Sequence, residues 1–535
     1  MTVASIAQQQ AAAACMAELA GLAGECEVLT DDAALAPYRT STFPSRSEVL
    51  AVIRPASAPA VRAVLQCAAR HGVAVHPKST GKNWGYGCNL PPRGAALVMS
   101  FERMNRIVDY DDALGCMTVE PGVTFRQVHD YLKARNAAFI GPVIGSSPDA
   151  SLIGNALERG IGKGRLGDRF GSACNLEVVL PDGEIIRTGF GRFPHARAAG
   201  VAKWGLGPAL DGLFSQSNLG VVTQATFLLD RAMPHFQAFF YTIDRHASLA
   251  CAVDALRLLR LEGTLSTTSS LTSSTRMQAM MQGGAPDRRC TFSDIEEFER
   301  QRLRGAQWVG EDVILSPTAA IGRARRKRIR AVLGPVTSQL VFIDDFRARL
   351  LGKLAGPLRR FARVDVGSMV EYYENSPYRG VPSAMGLNMC YADKDVPPGP
   401  NPNPSNDGVG LAWVAPILPF KGCEVEAVQA ILVRSYRRFG FAPNIGYNMS
   451  SDRAITCTAA IFFDRADENQ AQRAEACRAA MEAELIAAGC PPYRKGIQGM
   501  DEAAAPADDY ARVLARLKTA LDPQRVLSPG YYGIG

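Results

Sequence analysis

The sequence predicts an α+β protein of two domains, and three observations carry that expectation. At 535 residues the chain exceeds what one hydrophobic core ordinarily organises. Residues 49–57 then read as a strand, 58–72 as a helix with apolar residues at helical spacing and Gly72 as its stop signal, and 73–77 as a returning strand. Near His235 the character changes, and longer amphipathic helices such as 249–263 take over. Residues 1–235 are expected to form one domain, 236–495 a second, and 496–535 to return to the first.

Composition narrows the function classes. Hydrophobic residues make up 47% of the chain and charged residues 21%, the balance of a soluble globular protein. The net charge of +7 includes one short basic run, 324–330, which suits a solvated helix face better than a nucleic-acid surface. Residues 1–24 lack a basic leader and are punctuated by Gln8 to Gln10 and Glu18, so they read as an exposed helix and not a signal peptide. No apolar run reaches ~18 residues, so no membrane span and a cytoplasmic location are expected. Thirteen cysteines lie scattered without CxxC pairs, the pattern of reduced thiols with no metal site. The six histidines end at His246, so the C-terminal half offers no histidine as base or covalent anchor.

The most informative stretch is His76 to Gly87, HPKSTGKNWGYG, directly after the returning strand. Its glycines let backbone approach a ligand, Ser79 and Thr80 can bind phosphate oxygens, and Lys78 or Lys82 can supply positive charge. It reads as a pyrophosphate cradle at the end of a β-α-β unit, where open α/β layers bind ligands. Three further strands follow at 95–101, 105–111 and 116–124, then a helix at 125–136. Residues 140–172 are so rich in glycine and polar side chains that they should cover a ligand and not fill a core. Within them Gly162, Gly164 and Gly167 fit GxGxxG, but a helix-like segment precedes them where a dinucleotide fingerprint requires a strand. Residues 176–189 form a hairpin around Pro-Asp-Gly. In the second half, the proline-rich 396–408 reads as a surface excursion, 468–488 as a helix, and 514–530 as a helix followed by a turn.

With these pieces placed, the chain resembles the vanillyl-alcohol oxidase and p-cresol methylhydroxylase family of FAD enzymes. The likeness rests on PKSTGKNWGYG, RMNRIVDYD, VEPGVTF, GNALERGIG, NLEVVLPDGEIIRTG, KWGLGPALDGLFSQSNLGVVT, the Tyr493-Arg494 pair and DPQRVLSPG, in matching order over most of the chain. It implies a PCMH-type FAD-binding domain and a cap domain built on an antiparallel sheet with flanking helices. It further implies FAD contacts from Pro77, Ser79, Thr80, Gly81, Lys82 and Asn83, from Ser147, Pro148, Ile153, Gly154, Asn155 and Gly160, and from Gly220, Val221 and Val222. The positions that bond the flavin in relatives align with Asn388 and Leu411, so FAD is expected to be non-covalent, with Tyr391 the nearest residue able to depart from that.

The resemblance implies oxidation of a 4-alkylphenol. The phenolate would be gripped by Tyr86, Tyr493 and Arg494, with Trp413 in the same pocket and Glu158 where relatives carry an aspartate acting as base. Benzylic hydride would pass to the flavin, and the quinone methide would take up water or lose a proton. Where relatives have a cap glutamate and a histidine, Ala384 and Cys457 or Thr456 stand here, so the side-chain end of the pocket is expected to differ. The partners implied are a small phenol, a c-type cytochrome or other electron acceptor, or dioxygen, with a homodimer as the assembly. Read singly, Tyr86 could be a ring over a glycine turn, Tyr493-Arg494 a strand residue beside a surface charge, and Glu158 a loop-end partner of Arg159 or Arg165. A non-phenolic alcohol or hydroxy acid as substrate, or a redox-idle flavoprotein, are the alternatives at the level of function.

Overall fold

In a computed structural model the described residues are 6–244 (without 23), 248–282, 305–358, 366–392, 401–500 and 508–535, with isolated positions between 296 and 303 and between 394 and 399. His246, residues 1–5 and part of the proline-rich segment lie outside them.

The helix Ala58–His71 starts because Ser57 caps it, accepting from Ala60 N at 3.3 Å, and stops because Gly72 adopts φ +64°. It connects β2 (Glu48–Pro55) to β3 (Val75–Lys78), but the two strands are not neighbours. β4 (Ala95–Ser100) lies between them, parallel to both, and β1 (Cys26–Leu29) completes the sheet in the order β1-β2-β4-β3. A second, antiparallel sheet holds β5 (Ile107–Asp111), β6 (Cys116–Val119), β8 (Ala173–Val179), β9 (Ile185–Arg187) and β10 (Val221–Leu228) in the order β5-β6-β10-β8-β9. β8 and β9 are the arms of the Pro-Asp-Gly hairpin. The short β7 (Phe139–Ile140) pairs with β11 (Asp230–Arg231).

From His235 onward one antiparallel sheet dominates. It contains β12 (His235–Asp244), β13 (Ser269–Ser273), β14 (Ala306–Ser316), β15 (Gln339–Asp344), β16 (Val409–Val414), β18 (Asn444–Met449) and β19 (Ala454–Asp464), in the order β15-β12-β14-β13-β18-β19-β16, with β17 (Ile417–Pro419) on β19. The helices Leu249–Leu261, Gly422–Phe439 and Glu468–Ala487 bury apolar stripes against it in one core. The fold is the two-part, α+β FAD-binding architecture that the sequence predicts. The C-terminal segment lies on the first part: Val75 N donates to Val526 O at 2.8 Å and Ser528 N to Val75 O at 2.9 Å.

Two expectations fail here. The N-terminal helix Ile6–Ala20 is not simply exposed, because Ala12, Cys15 and Leu19 are buried and Cys15 Sγ lies 3.4 Å from Cys67 Sγ. The proline-rich segment is not merely an excursion. Pro404 and Ser405 are buried, Trp84 Nε1 donates to Asn403 Oδ1 at 3.2 Å, and Cys88 Sγ meets Ser405 Oγ at 3.1 Å, so this loop braces the cradle.

Candidate active site

A cavity of about 420 Å³ runs from the end of β3, between the two sheets of the first part, to the large cap sheet. At its first end the chain leaves β3 through Ser79 and Thr80 into Gly81, at φ +68°. A Cβ there would sit 2.0 Å from Asn89 Oδ1, so glycine is required for both reasons. Across from it the short helix Leu152–Leu157 is capped by Ser151, whose Oγ accepts from Gly154 N at 2.9 Å. A Cβ on Gly154 would come within 2.3 Å of Ser79 Oγ, so these two walls touch only because the residue is glycine. Lys78 is not the cradle's free cation: Glu102 takes its ammonium at 3.1 Å and it lies over the Tyr38 ring. Lys82 lies over the Trp84 ring and lines the cavity.

Of the residues implied for the cofactor, Pro77, Ser79 to Asn83, Ile153, Gly154, Asn155, Gly160, Gly220, Val221 and Val222 all line this cavity. Ser147 and Pro148 do not. Ser147 Oγ accepts from Asp149 N at 3.1 Å within the turn, Pro148 O accepts from Arg126 N of the helix Phe125–Ala134 at 2.9 Å, and Gly145 and Ser146 line the cavity. The GxGxxG look-alike wraps a side chain of its own. The buried Arg169 donates to Val143 O, Lys163 O and Leu166 O, and a Cβ on Gly162 would fall onto its guanidinium.

At the far end Tyr86, Glu158, Trp413, Tyr493 and Arg494 come together from both parts of the fold. The Tyr86 and Trp413 rings are stacked, with centroids 6.5 Å apart and planes at 11°, and the Arg494 guanidinium carbon lies 4.1 Å from the Tyr86 centroid. Gly85, at φ +80°, makes the stack possible, since a Cβ there would be 2.2 Å from Trp413 Cδ1. Arg494 Nε donates to Glu158 Oε2 at 3.2 Å and its Nη2 to Asn83 Oδ1. Tyr493 is fixed through its backbone, donating to Ala415 O and accepting from Gln216 Nε2, each at 3.0 Å. Glu158 pairs with neither Arg159 nor Arg165, which bond Ser215 and Asp230.

Sequence reasoning missed three residues here. Tyr531 donates to Glu158 Oε1, and Tyr532 to Oε2 at 3.1 Å, so three donors fix this carboxylate. Tyr532 does so at φ +51°, a conformation a bulky residue rarely adopts. The adjacent tyrosines just past the SPG turn were the available signal. Arg276, from the cap helix Ser274–Gln282, also lines the cavity.

The electrostatics favour neutral donors around one cation. Burial pushes the Tyr86 and Tyr493 hydroxyls above their ordinary range, as it does those of Tyr531 and Tyr532, where the Glu158 charge adds to it. All four stay protonated near neutral pH. Burial opposes the charge on Arg494, but Glu158 together with Tyr86, Tyr532 and Tyr493 outweighs it and holds the guanidinium above its usual value. Burial pushes His76 down to about 4, so it is a neutral wall residue bonded to Ser528 Oγ at 2.9 Å.

The positions that the resemblance assigns to flavin bonding differ in placement. Leu411 lines the cavity but has nothing to bond with, Asn388 does not line it, and the Tyr391 hydroxyl is given to Asp407. Ala384 and Cys457 do not line the cavity either, and Cys457 is buried in the cap core. Thr456 belongs to a second, more open cavity of about 1180 Å³ that meets the first at Ile161, Gln216, Tyr493 and Arg494.

FAD suits this donor set. Hydroxyls and the Lys82 ammonium match a diphosphate, glycines clear the space beside them, and Ile153, Val221 and Val222 offer an apolar slot for a ring system. The FAD binding domain family matches residues 49–189. Over 513 residues the chain is 36% identical to a 1'-carboxy-chondrochloren decarboxylase of Chondromyces crocatus, with 95% of each chain covered. It is 26% identical to the flavoprotein subunit of 4-cresol dehydrogenase [hydroxylating] of Pseudomonas putida over 524 residues, 96% of this chain and 94% of that one. Among solved structures, p-cresol methylhydroxylase with substrate bound superposes with a TM-score of 0.84 at 24% identity, covering 99% of this chain and 98% of that one. A 4-ethylphenol oxidase from Gulosibacter chungangensis superposes with 0.85 at 22%, covering 100% and 98%; these two likenesses bear on the fold. The protein is an FAD-dependent oxidoreductase. It belongs to the vanillyl-alcohol oxidase and p-cresol methylhydroxylase family.

Proposed function

We propose that the chain oxidises a para-substituted phenol bound as its phenolate. The observation that carries this reading is the convergence of Tyr86, Tyr493 and Arg494 on one cavity, from the cradle side and from the segment beyond the cap sheet. A free phenol has a pKa of about 10, so holding it ionised near neutrality takes ~4 kcal/mol of differential stabilisation. Hydrogen bonds to a charged group contribute ~1.5–3 kcal/mol each, so two protonated tyrosines and one arginine can supply it where a single donor cannot. Glu158 holds Arg494 in place through Nε. With three donors already on its two oxygens, one lone-pair direction remains, enough to take the phenol proton. Bound FAD supplies the acceptor for a hydride leaving the benzylic carbon. The apolar, stacked Tyr86–Trp413 wall limits water beside the resulting quinone methide.

The decarboxylase among the relatives favours one fate for that intermediate. If the carbon next to the benzylic one carries a carboxylate, the C–CO2 electron pair becomes the side-chain double bond. The ring regains its phenolate charge, and a vinylphenol and CO2 leave. The same reading divides the chain into 1–235, 236–495 and 496–535 and keeps FAD non-covalent, so acid precipitation should release the flavin into the supernatant. Anaerobic mixing with 4-alkylphenols tests the central claim: bleaching of the flavin is expected, and bleaching only by non-phenolic alcohols would overturn it. Readmitting air, or adding a c-type cytochrome, identifies the electron acceptor.

A further inference from the structure

We propose that Arg276 is a specificity residue that binds a carboxylate on the substrate's para side chain. The inference rests on the phenolate reading of the site and names the class of phenol.

Arg276 sits in the first turn of the helix Ser274–Gln282, just after β13, with its N–H donating to Ser273 Oγ at 3.3 Å. Its Nη1 donates to Thr458 O at 3.0 Å and to Thr458 Oγ1 at 2.8 Å. Space for that nitrogen exists because residue 446 is glycine; a Cβ there would lie 2.5 Å from Nη1. These contacts fix one edge of the guanidinium. Nε and Nη2, the edge suited to a two-point grip on a carboxylate, have no acceptor among the described residues.

Of the cavity's lysines and arginines, two lack a counter-charge among the described residues: Lys82, which the cradle gives to the diphosphate, and Arg276. Around the same cavity Lys78 faces Glu102, Lys163 faces Glu311 and Arg494 faces Glu158. No carboxylate among the described residues pairs with Arg276. Its ionisable neighbours are Tyr436, Cys457, Cys390 and Tyr86, whose own groups burial keeps protonated. Burial accordingly pushes Arg276 below its ordinary value. Arg276 is half-buried, and a cation drawn partly out of water without an anionic partner carries a desolvation cost that a ligand bringing the anion offsets.

The placement fits a substrate with two charges. Arg494 lies against the Tyr86 ring, and Arg276 lies 5.4 Å from the centroid of Trp413, the other ring of the stacked pair. A phenolate at the first guanidinium leaves the second for an anion elsewhere on the same molecule.

The test compares 3-(4-hydroxyphenyl)propanoate with 4-propylphenol, its neutral analogue without the carboxylate oxygens, using the FAD-loaded full chain. Anaerobic flavin reduction gives rates, and the flavin absorbance change on binding gives dissociation constants. The native protein should favour the acid, and in Arg276→Gln the acid-to-propylphenol ratio of kcat/KM should fall about 30-fold or more, mainly through KM. Arg276→Lys should recover part of the ratio. Equal losses for both compounds would make Arg276 another phenolate ligand or a support for Trp413, and would overturn the proposal. So would an acid that the native protein binds no better than propylphenol. If neither phenol reduces the flavin, the phenolate reading falls; the Arg276 assignment is then decided by whether Arg276→Gln still weakens binding of the acid.

Discussion

The two walls of the cavity are built on different principles. On the cradle side, position is set by backbone: a strand end, a capped six-residue helix and glycines at 81 and 154 where a methyl group would collide with Asn89 or Ser79. On the cap side, position is set by side chains that the strand register delivers from remote parts of the sequence, such as Trp413 on β16 and Arg276 held by Thr458 of β19. The cradle side therefore suits a constant guest, and the cap side can change its guest by changing single residues.

Arg494→Ala should break the comparison most severely. It removes a charge-assisted donor and strands Glu158, so flavin reduction by a 4-alkylphenol should drop about a thousandfold while FAD stays bound. Stopped-flow reduction with flavin content as control reads this, and a loss under tenfold would refute the clamp.

A pair of glycine substitutions sharpens the contrast between walls. Gly85→Ala places a Cβ against the Trp413 indole at a left-handed φ, which should disrupt the Tyr86–Trp413 stack and cut phenol reduction about a hundredfold with FAD retained. Gly154→Ala presses on Ser79 and should instead weaken FAD binding first. Flavin retention on gel filtration, set beside reduction rates, separates the two; the same loss pattern in both would erase the distinction.

Tyr531→Phe and Tyr532→Phe each delete one donor to Glu158 and should slow reduction about ten- to a hundredfold, the double variant more than either. Unchanged rates in the double variant would mean that Glu158 does no work in the reaction.

The smallest effect concerns the cap scaffold alone. Burial pushes the Asp312 carboxyl up to about 6, against hydrogen bonds from Thr267, Ser269 and the Val313 N–H. Its folded value lies above its unfolded value, so its stabilising contribution is full at low pH and is lost as pH rises from about 4 through about 6. Melting temperatures across that window should fall more steeply with pH in the native protein than in Asp312→Asn, and parallel curves would count against the assignment.

What the sequence disclosed follows the same division. The caps at Ser57 and Gly72, the hairpin at Pro-Asp-Gly and the cradle from Ser79 to Asn83 are local, so residue types and spacing suffice to read them. Tyr86, Tyr493 and Arg494 were legible only through the likeness to relatives. Arg276 left no signal, and Tyr531 and Tyr532 left only their adjacency past the SPG turn, because contacts such as Tyr531 to Glu158 span 373 positions and depend on how the tail docks. Which residues of the loop at 145–148 line the cavity, Gly145 and Ser146 and not Ser147 and Pro148, depends on a loop conformation that composition does not specify. Of the two lysines offered for the cradle, Lys78 is taken by Glu102, just past the end of β4, the strand that pairs with β3 although sequence order does not place it there.

The zipper of Val526 and Ser528 onto β3, with Tyr531 and Tyr532 behind it, also bears on biogenesis. Ribosomes deliver the cradle hundreds of residues before these four. A nascent chain whose cap is already complete still lacks one strand-edge partner for β3 and both hydroxyls that hold Glu158. A chain clipped short of residue 526 should therefore be recovered with less flavin than the full chain, and equal flavin content in the two would show that the tail is dispensable for loading.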